Sequence, residues 1–136
     1  MPGFVHPLAA EATFRVFYLG DDLKFITAFR EAVSEHDYRL VACSDQGSAV
    51  LFLKSDIHYD LMLIDYDWRG NEALKLARLS RSQRHRKHTP IVFLSSANLD
   101  DQTKAVAKRA GVVECVLKIA DLSELVSRLK RSLSDI

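Results

Sequence analysis

The sequence predicts an α/β fold, a single doubly wound parallel sheet with helices on both faces. Three observations carry that prediction. Short apolar runs alternate with helical patterns in the order βαβαβαβαβα. Two runs, Leu61–Tyr66 and Ile91–Ser96, are nearly continuous in apolar residues, as strands buried on both faces are. The 136 residues make one domain's worth of chain, 48% hydrophobic and 27% charged, which is ordinary for a globular protein and too apolar for a disordered one.

Residues 1–13 read as a loose N-terminal arm, followed by one domain over 14–136. The strands are expected at Phe14–Leu19, Arg39–Ser44, Leu61–Tyr66, Ile91–Ser96 and Val112–Leu117. A first helix, Leu23–Glu35, carries Ile26, Phe29 and Val33 on one face. The second is short, near Gly47–Lys54, and the third spans about Asn71–Ser82. The fourth, about Leu99–Ala110, has Asn98 as its expected N-cap and Gly111 as its stop. The fifth, about Leu122–Ser134, spaces Leu122, Leu125, Val126, Leu129 and Leu133 along one stripe, and Asp121 with Glu124 resembles a capping box.

Nineteen Lys and Arg against eighteen Asp and Glu leave a formal charge of +1, so no global field argues for nucleic acid or an anionic membrane. No apolar run approaches the roughly 18 residues of a membrane span. Pro7 and His6 interrupt an N-terminus without a basic region, so a secretory signal is not expected and a cytoplasmic location is. Cys43 and Cys115 make neither a disulfide framework nor a zinc site. The most basic stretch runs through Arg78, Arg81 and Arg84 to His88. A solvated helix end accounts for Arg78 and Arg81. The loop cluster leaves an acidic partner or nucleic acid open, but no recognition-helix unit accompanies it, so direct nucleic-acid binding is not expected.

Sites in such sheets lie at the carboxyl ends of the strands. Here those ends carry Gly20-Asp21-Asp22, Asp65 with Asp67 beyond it, Ser95-Ser96 and Lys118. Asp22 and Asp45 read best as caps of the helices that follow. Asp65 ends a strand so apolar that its charge is costly to desolvate unless it is paired or metal-bound. Two uncompensated carboxylates about 4 Å apart repel by roughly 4 kcal/mol at an effective dielectric of 20. Lys118 is one cation that can relieve this, and a hard divalent ion is the other.

The element order and four stretches in register resemble the receiver domain of two-component response regulators, including the single-domain chemotaxis regulator. The stretches are Arg15 to Asp22, Asp60 to Asp65, Pro90 to Ser96 and Gly111 to Lys118, within a resemblance covering about Arg15 to Leu133. Each is weak alone; together, in order and spacing, they are specific. The resemblance implies a flavodoxin-like sheet of five strands in the order 2-1-3-4-5 with five helices. It implies Asp65 as the phosphoacceptor, served by a histidine kinase or phosphotransfer protein. Mg²⁺ would be held by Asp21, Asp65 and the backbone carbonyl of Asp67. Ser95 and Lys118 would each meet a phosphoryl oxygen. These roles suit phosphoryl transfer, which needs positioning and charge cancellation more than covalent help.

The chain also departs from the family pattern. Gly20 stands where the first acid of the pair is usual, so weaker Mg²⁺ binding is expected, with Asp22 or Asp67 compensating. Cys115 stands at the aromatic switch position, which puts the usual coupling from Ser95 in doubt. Ile119 replaces a proline that usually follows the lysine through a cis bond. A non-proline cis bond costs about 3 kcal/mol, so a trans bond is expected. Arg69 and Glu72-Ala73 also alter the loop after Asp65. Trp68, beside it, reads as a surface aromatic packed on the loop or as one framing the site.

The leading expectation is a phosphorylation-dependent switch of partner binding that is not a turnover enzyme. The alternative is a pseudo-receiver, a protein-interaction module that works without phosphorylation. A flavin-binding domain of the same fold is disfavoured, because Gly20-Asp21-Asp22-Leu23 would repel a phosphate. A homodimer through the fourth and fifth helices is what the family would offer. In its strand order Cys43 and Cys115 lie on opposite edges, about 19 Å apart, too far for a bridge.

Overall fold

A computed structural model describes residues 14–33, 38–68, 70–118 and 124–127. The elements are β1 (Phe14–Leu19), α1 (Leu23–Ala32), β2 (Tyr38–Cys43), α2 (Gln46–Lys54), β3 (Leu61–Asp65), α3 (Gly70–Ser82), a 3-10 turn (Arg84–Arg86), β4 (Ile91–Ser95), α4 (Asp101–Arg109) and β5 (Glu114–Leu117). Residues 124–127 are helical and fall within the expected fifth helix. The arm 1–13, Arg69, Ile119 and the Asp121 cap lie outside the described residues, as does the expected end of the first helix at Glu35.

The strands form one sheet in the order β2-β1-β3-β4-β5, every pair parallel, as expected. Alternation along each strand divides the core in two. Val16, Tyr18, Leu61, Leu63, Val92, Leu94 and Val116 face α1 and residues Leu125 and Val126. Phe17, Leu19, Met62, Ile64, Ile91 and Phe93 face α2, α3 and α4. All five residues of β3 and of β4 are buried, which explains their unbroken apolar runs. Cys43 and Cys115 stand on the two edge strands as free thiols.

The capping expectations divide. Asp22 and Asp45 cap α1 and α2, their carboxylates accepting from the amides of Phe25 and Ser48. The cap of α4 is Asp100, whose carboxylate takes the Thr103 amide at 2.7 Å, and not Asn98. The helix starts later than its apolar pattern suggests because Asn98 and Leu99 still belong to the loop leaving β4. Gly111 ends α4 as expected. At φ +100° it lets its own amide reach Lys108 and that of Val112 reach Ala107, closing the last turn. Val112 is therefore spent on the helix, and β5 begins at Glu114.

The basic stretch is a second correction, because two of its arginines are structural. Arg86 is 1% exposed. Its guanidinium donates to the carbonyls of Leu53, Phe52 and Ser55 at 2.8, 3.0 and 3.1 Å and lies over the Tyr59 ring. It thereby satisfies the C-terminal carbonyls of α2. Arg81 ties the carbonyls of Gly111, Lys87 and Thr89 together. Among the described residues, no helix is long and apolar enough to cross a membrane.

Candidate functional site

Strand register builds the site. Leu19 pairs with Ile64, and Ser95 pairs with Leu117, so the ends of β1, β3, β4 and β5 meet at one edge. Asp65 lies on the same face of the sheet as Leu61 and Leu63, and Lys118 continues the face of Val116. The Lys118 backbone amide is anchored on the Ser95 carbonyl at 2.7 Å.

Lys118 is the cation that relieves the carboxylates. Its ammonium lies 2.8 Å from Asp65, 3.0 Å from Asp22 and 3.1 Å from Asp67. Asp65 is 1% exposed and fully committed. Its Oδ2 accepts from Lys118 and its Oδ1 accepts from the Asp67 amide at 2.9 Å. Asp67 also accepts from the Ser96 amide, tying the loop after β3 to that after β4. Burial alone would lower the Lys118 ammonium, but its bonds to Asp65, Asp22 and Asp67 outweigh that and hold it above its ordinary value. The Phe25 amide, opposed by burial and aided by Lys118, lowers the Asp22 carboxyl.

One member is absent from the sequence-based set. The Tyr18 hydroxyl donates to Asp65 Oδ2 at 2.6 Å, with the ring wholly buried. Burial first, and then the Asp65 carboxylate, push its phenol far above the ordinary value, so it stays a donor. Tyr18 reaches Asp65 because Gly20 offers no side chain between them. A Cβ at Gly20 would meet the Tyr18 hydroxyl oxygen at 2.5 Å and Asp65 Cβ at 2.7 Å. The signal available in the sequence was a hydroxyl-bearing aromatic two residues before a strand-end glycine, on the same face as Asp65.

Among the described residues, Asp21, Ser95 and Cys115 form no hydrogen bond with Asp65. Asp21 is exposed at the end of β1 and lines a cavity of about 380 Å³ with Leu23, Ile26, Arg30, Ala42 and Ser44. Ser95 is buried, and its hydroxyl donates to the Ala97 carbonyl at 2.7 Å. Cys115, paired with Phe93, is half-buried, and burial raises its thiol above the ordinary value. Trp68 is half-buried and packs on the core cluster under α2, α3 and α4. The aromatic therefore packs inward, and its backbone amide reaches the Asp65 carbonyl at 3.2 Å.

The family model described as "Response regulator receiver domain" matches residues 16–130. The chain belongs to this family. A receiver domain of two-component signalling is thus what the sheet and its strand-end site compose. The chain is 33% identical over 91 residues to the regulatory protein AtoC of Escherichia coli, covering 67% of the chain and 19% of that relative. It therefore spans about a fifth of that protein. A response regulator from Thermotoga maritima superposes with a TM-score of 0.75 at 25% identity, covering 90% of this chain and 98% of that one. The receiver domain of a sensor histidine kinase from Pseudomonas aeruginosa, which holds a magnesium ion in its active-site cleft, gives 0.74 at 21% identity, with 90% and 99% covered.

Proposed function

We propose that this receiver accepts a phosphoryl group on Asp65 from a histidine kinase or phosphotransfer protein, with Mg²⁺, and that the modification alters binding to a downstream protein. It is a phosphoacceptor and not a turnover enzyme. The observation that carries this reading is the buried Asp65 carboxylate held against the Lys118 ammonium at 2.8 Å. In the transfer, a carboxylate oxygen attacks phosphorus and the phosphorus–nitrogen bond of the donor phosphohistidine breaks. The bonding pair leaves with the imidazole nitrogen. Little else is chemical; the site must position the phosphoryl group and cancel its charge. Lys118 supplies one positive charge and passes from carboxylate to phosphoryl oxygen. Ser95 turns its hydroxyl from Ala97 to a second phosphoryl oxygen.

The donor set suits Mg²⁺ in kind. Lys118 faces three carboxylates, which leaves two negative charges in excess, and every donor is a hard oxygen. Among the described residues no three acidic, His or Cys side chains form a cage. Mg²⁺ is usually bound through one or two carboxylates together with water and phosphate oxygens. Asp21, Asp65 and the Asp67 carbonyl would hold it, while Asp22 is engaged by Phe25 and Lys118. When bound, the ion neutralises phosphoryl charge.

A second reading has its own observation. With Tyr18 and Lys118 both on Asp65 Oδ2, the site is satisfied without a phosphoryl group, as an interaction module that works unphosphorylated would require. Intact mass after incubation with acetyl phosphate and Mg²⁺ decides between them. A phosphoryl adduct on wild type and none on Asp65→Asn is expected. No adduct on folded protein, beside a competent receiver, overturns the phosphoacceptor in favour of the module.

A further inference from the structure

Tyr18 stands apart from every role assigned above. Its hydroxyl is bonded to the charged form of Asp65, and its ring belongs to the packing of another element. The Tyr18 ring lies 5.3 Å from that of Phe25 in α1, and Phe25 lies 5.7 Å from Phe29 one turn on. The first turn of α1 is tied to the same carboxylates by a second route, since Asp22 caps it and also accepts from Lys118. We propose that Tyr18 is a positioning residue for Asp65, holding the carboxylate while it is charged and loosening its hold, and that of the α1 first turn, once the carboxylate carries a phosphoryl group.

The argument is one of charge. A hydrogen bond to an ionised acceptor is about twice as strong as one between neutral groups. Phosphoryl transfer converts the Asp65 carboxylate into a neutral acyl group and moves its negative charge to the phosphoryl oxygens. Whichever carboxylate oxygen forms the new bond, Oδ2 ceases to be a charged acceptor. The Tyr18 hydroxyl must then accept a weaker bond or follow the charge outward. Following it displaces a fully buried ring, and that ring supports Phe25. Gly20 makes the movement possible, because no side chain separates the hydroxyl from the strand end. The relay lies on the α1 face of the sheet. Cys115, on the opposite face with Phe93, carries no ring to relay through.

This rests on Asp65 being the phosphoacceptor, and the test keeps the two ideas separable. Amide hydrogen exchange over residues 26–32 is measured for wild type, Asp65→Asn, Tyr18→Phe and the double variant, with α3 as an internal control. Tyr18→Phe removes one oxygen and leaves the ring in place, so it keeps the packing. Asp65→Asn removes the charged acceptor without any phosphorylation. Each single variant is expected to speed α1 exchange at least about fivefold, the size of a charge-assisted bond becoming neutral. The double variant is expected to match the singles, with α3 unchanged. Wild type carrying the acetyl phosphate adduct is expected to show the same acceleration, in proportion to the labelled fraction read by mass. Unchanged α1 exchange in Asp65→Asn overturns the proposal, as do effects that simply add in the double variant. Labelled wild type with unmoved α1 overturns it too. Absence of label overturns only the phosphoacceptor reading, and the cycle of variants still reports on the Tyr18 tie.

Discussion

Adding one methyl group at Gly20 tests how tightly Tyr18 and Asp65 fill the end of β1. The new Cβ of Gly20→Ala would stand 2.5 Å from the Tyr18 hydroxyl oxygen and 2.7 Å from both Tyr18 Cζ and Asp65 Cβ. Asp65 Cβ is fixed by a buried central strand, so Tyr18 is the group that must move. Overpacking of this kind costs about 1–3 kcal/mol. Displacing the hydroxyl also forfeits a hydrogen bond to a charged group, about 1.5–3 kcal/mol. Together these predict a loss of roughly 3–5 kcal/mol, a large part of the 5–15 kcal/mol typical of a domain. Urea unfolding followed by the single tryptophan, Trp68, is the assay. With a slope near 2 kcal/mol/M, the midpoint should fall by about 2 M. Tyr18→Leu removes two of the three close atoms, so the same methyl should cost at least about 1 kcal/mol less in that background. A Gly20→Ala midpoint within about 0.5 M of wild type, or a cost unchanged by Tyr18→Leu, would refute the packing argument.

Three further outcomes are expected. Arg86→Met should lose about 3 kcal/mol by leaving the carbonyls of Phe52, Leu53 and Ser55 unpaired, while exposed Arg84→Ala should stay within about 0.5 kcal/mol, both read from urea midpoints. Stability should fall at both ends of the pH range. The raised Lys118 contributes fully below its unfolded value of 10.5 and loses that contribution as pH climbs through its higher folded value. The lowered Asp22 contributes above 3.8 and loses it as pH drops through its folded value. Midpoints measured across pH should show a steeper alkaline loss in wild type than in Lys118→Met, where the raised Tyr18, Tyr38, Tyr59 and Cys115 still contribute; identical alkaline behaviour would contradict the network. Denatured, unreduced protein should titrate two free thiols per chain, since the cysteines lie on opposite edge strands.

Most of the fold was legible because its signals are local. Unbroken apolar runs at β3 and β4, Gly111 after a helix and Asp before one each depend on residues within a turn or a strand. The bounds that moved did so where a neighbour competed, as at Asp100 over Asn98 and at Val112, taken by the end of α4. Arg86 escaped because charge in a loop reads as solvated. Only the fold reveals that the open carbonyls at the end of α2 come to lie where its guanidinium can fill them.

The site divides along the same line. Asp65, Asp22 and Lys118 were readable as charges at strand ends, where an unpaired charge is costly and a partner is required. Tyr18 was not, since a tyrosine inside a strand reads as core, and core is what its ring is. Its hydroxyl gains a function from register, which brings Gly20 beside Asp65 and leaves the gap that the hydroxyl fills. Read singly, Gly20 is a lost acid and Tyr18 a buried aromatic. Taken together they are one exchange, in which a neutral donor on the carboxylate replaces a second negative charge beside it. That exchange lowers the repulsion Lys118 must offset and leaves Asp65 anchored from two sides.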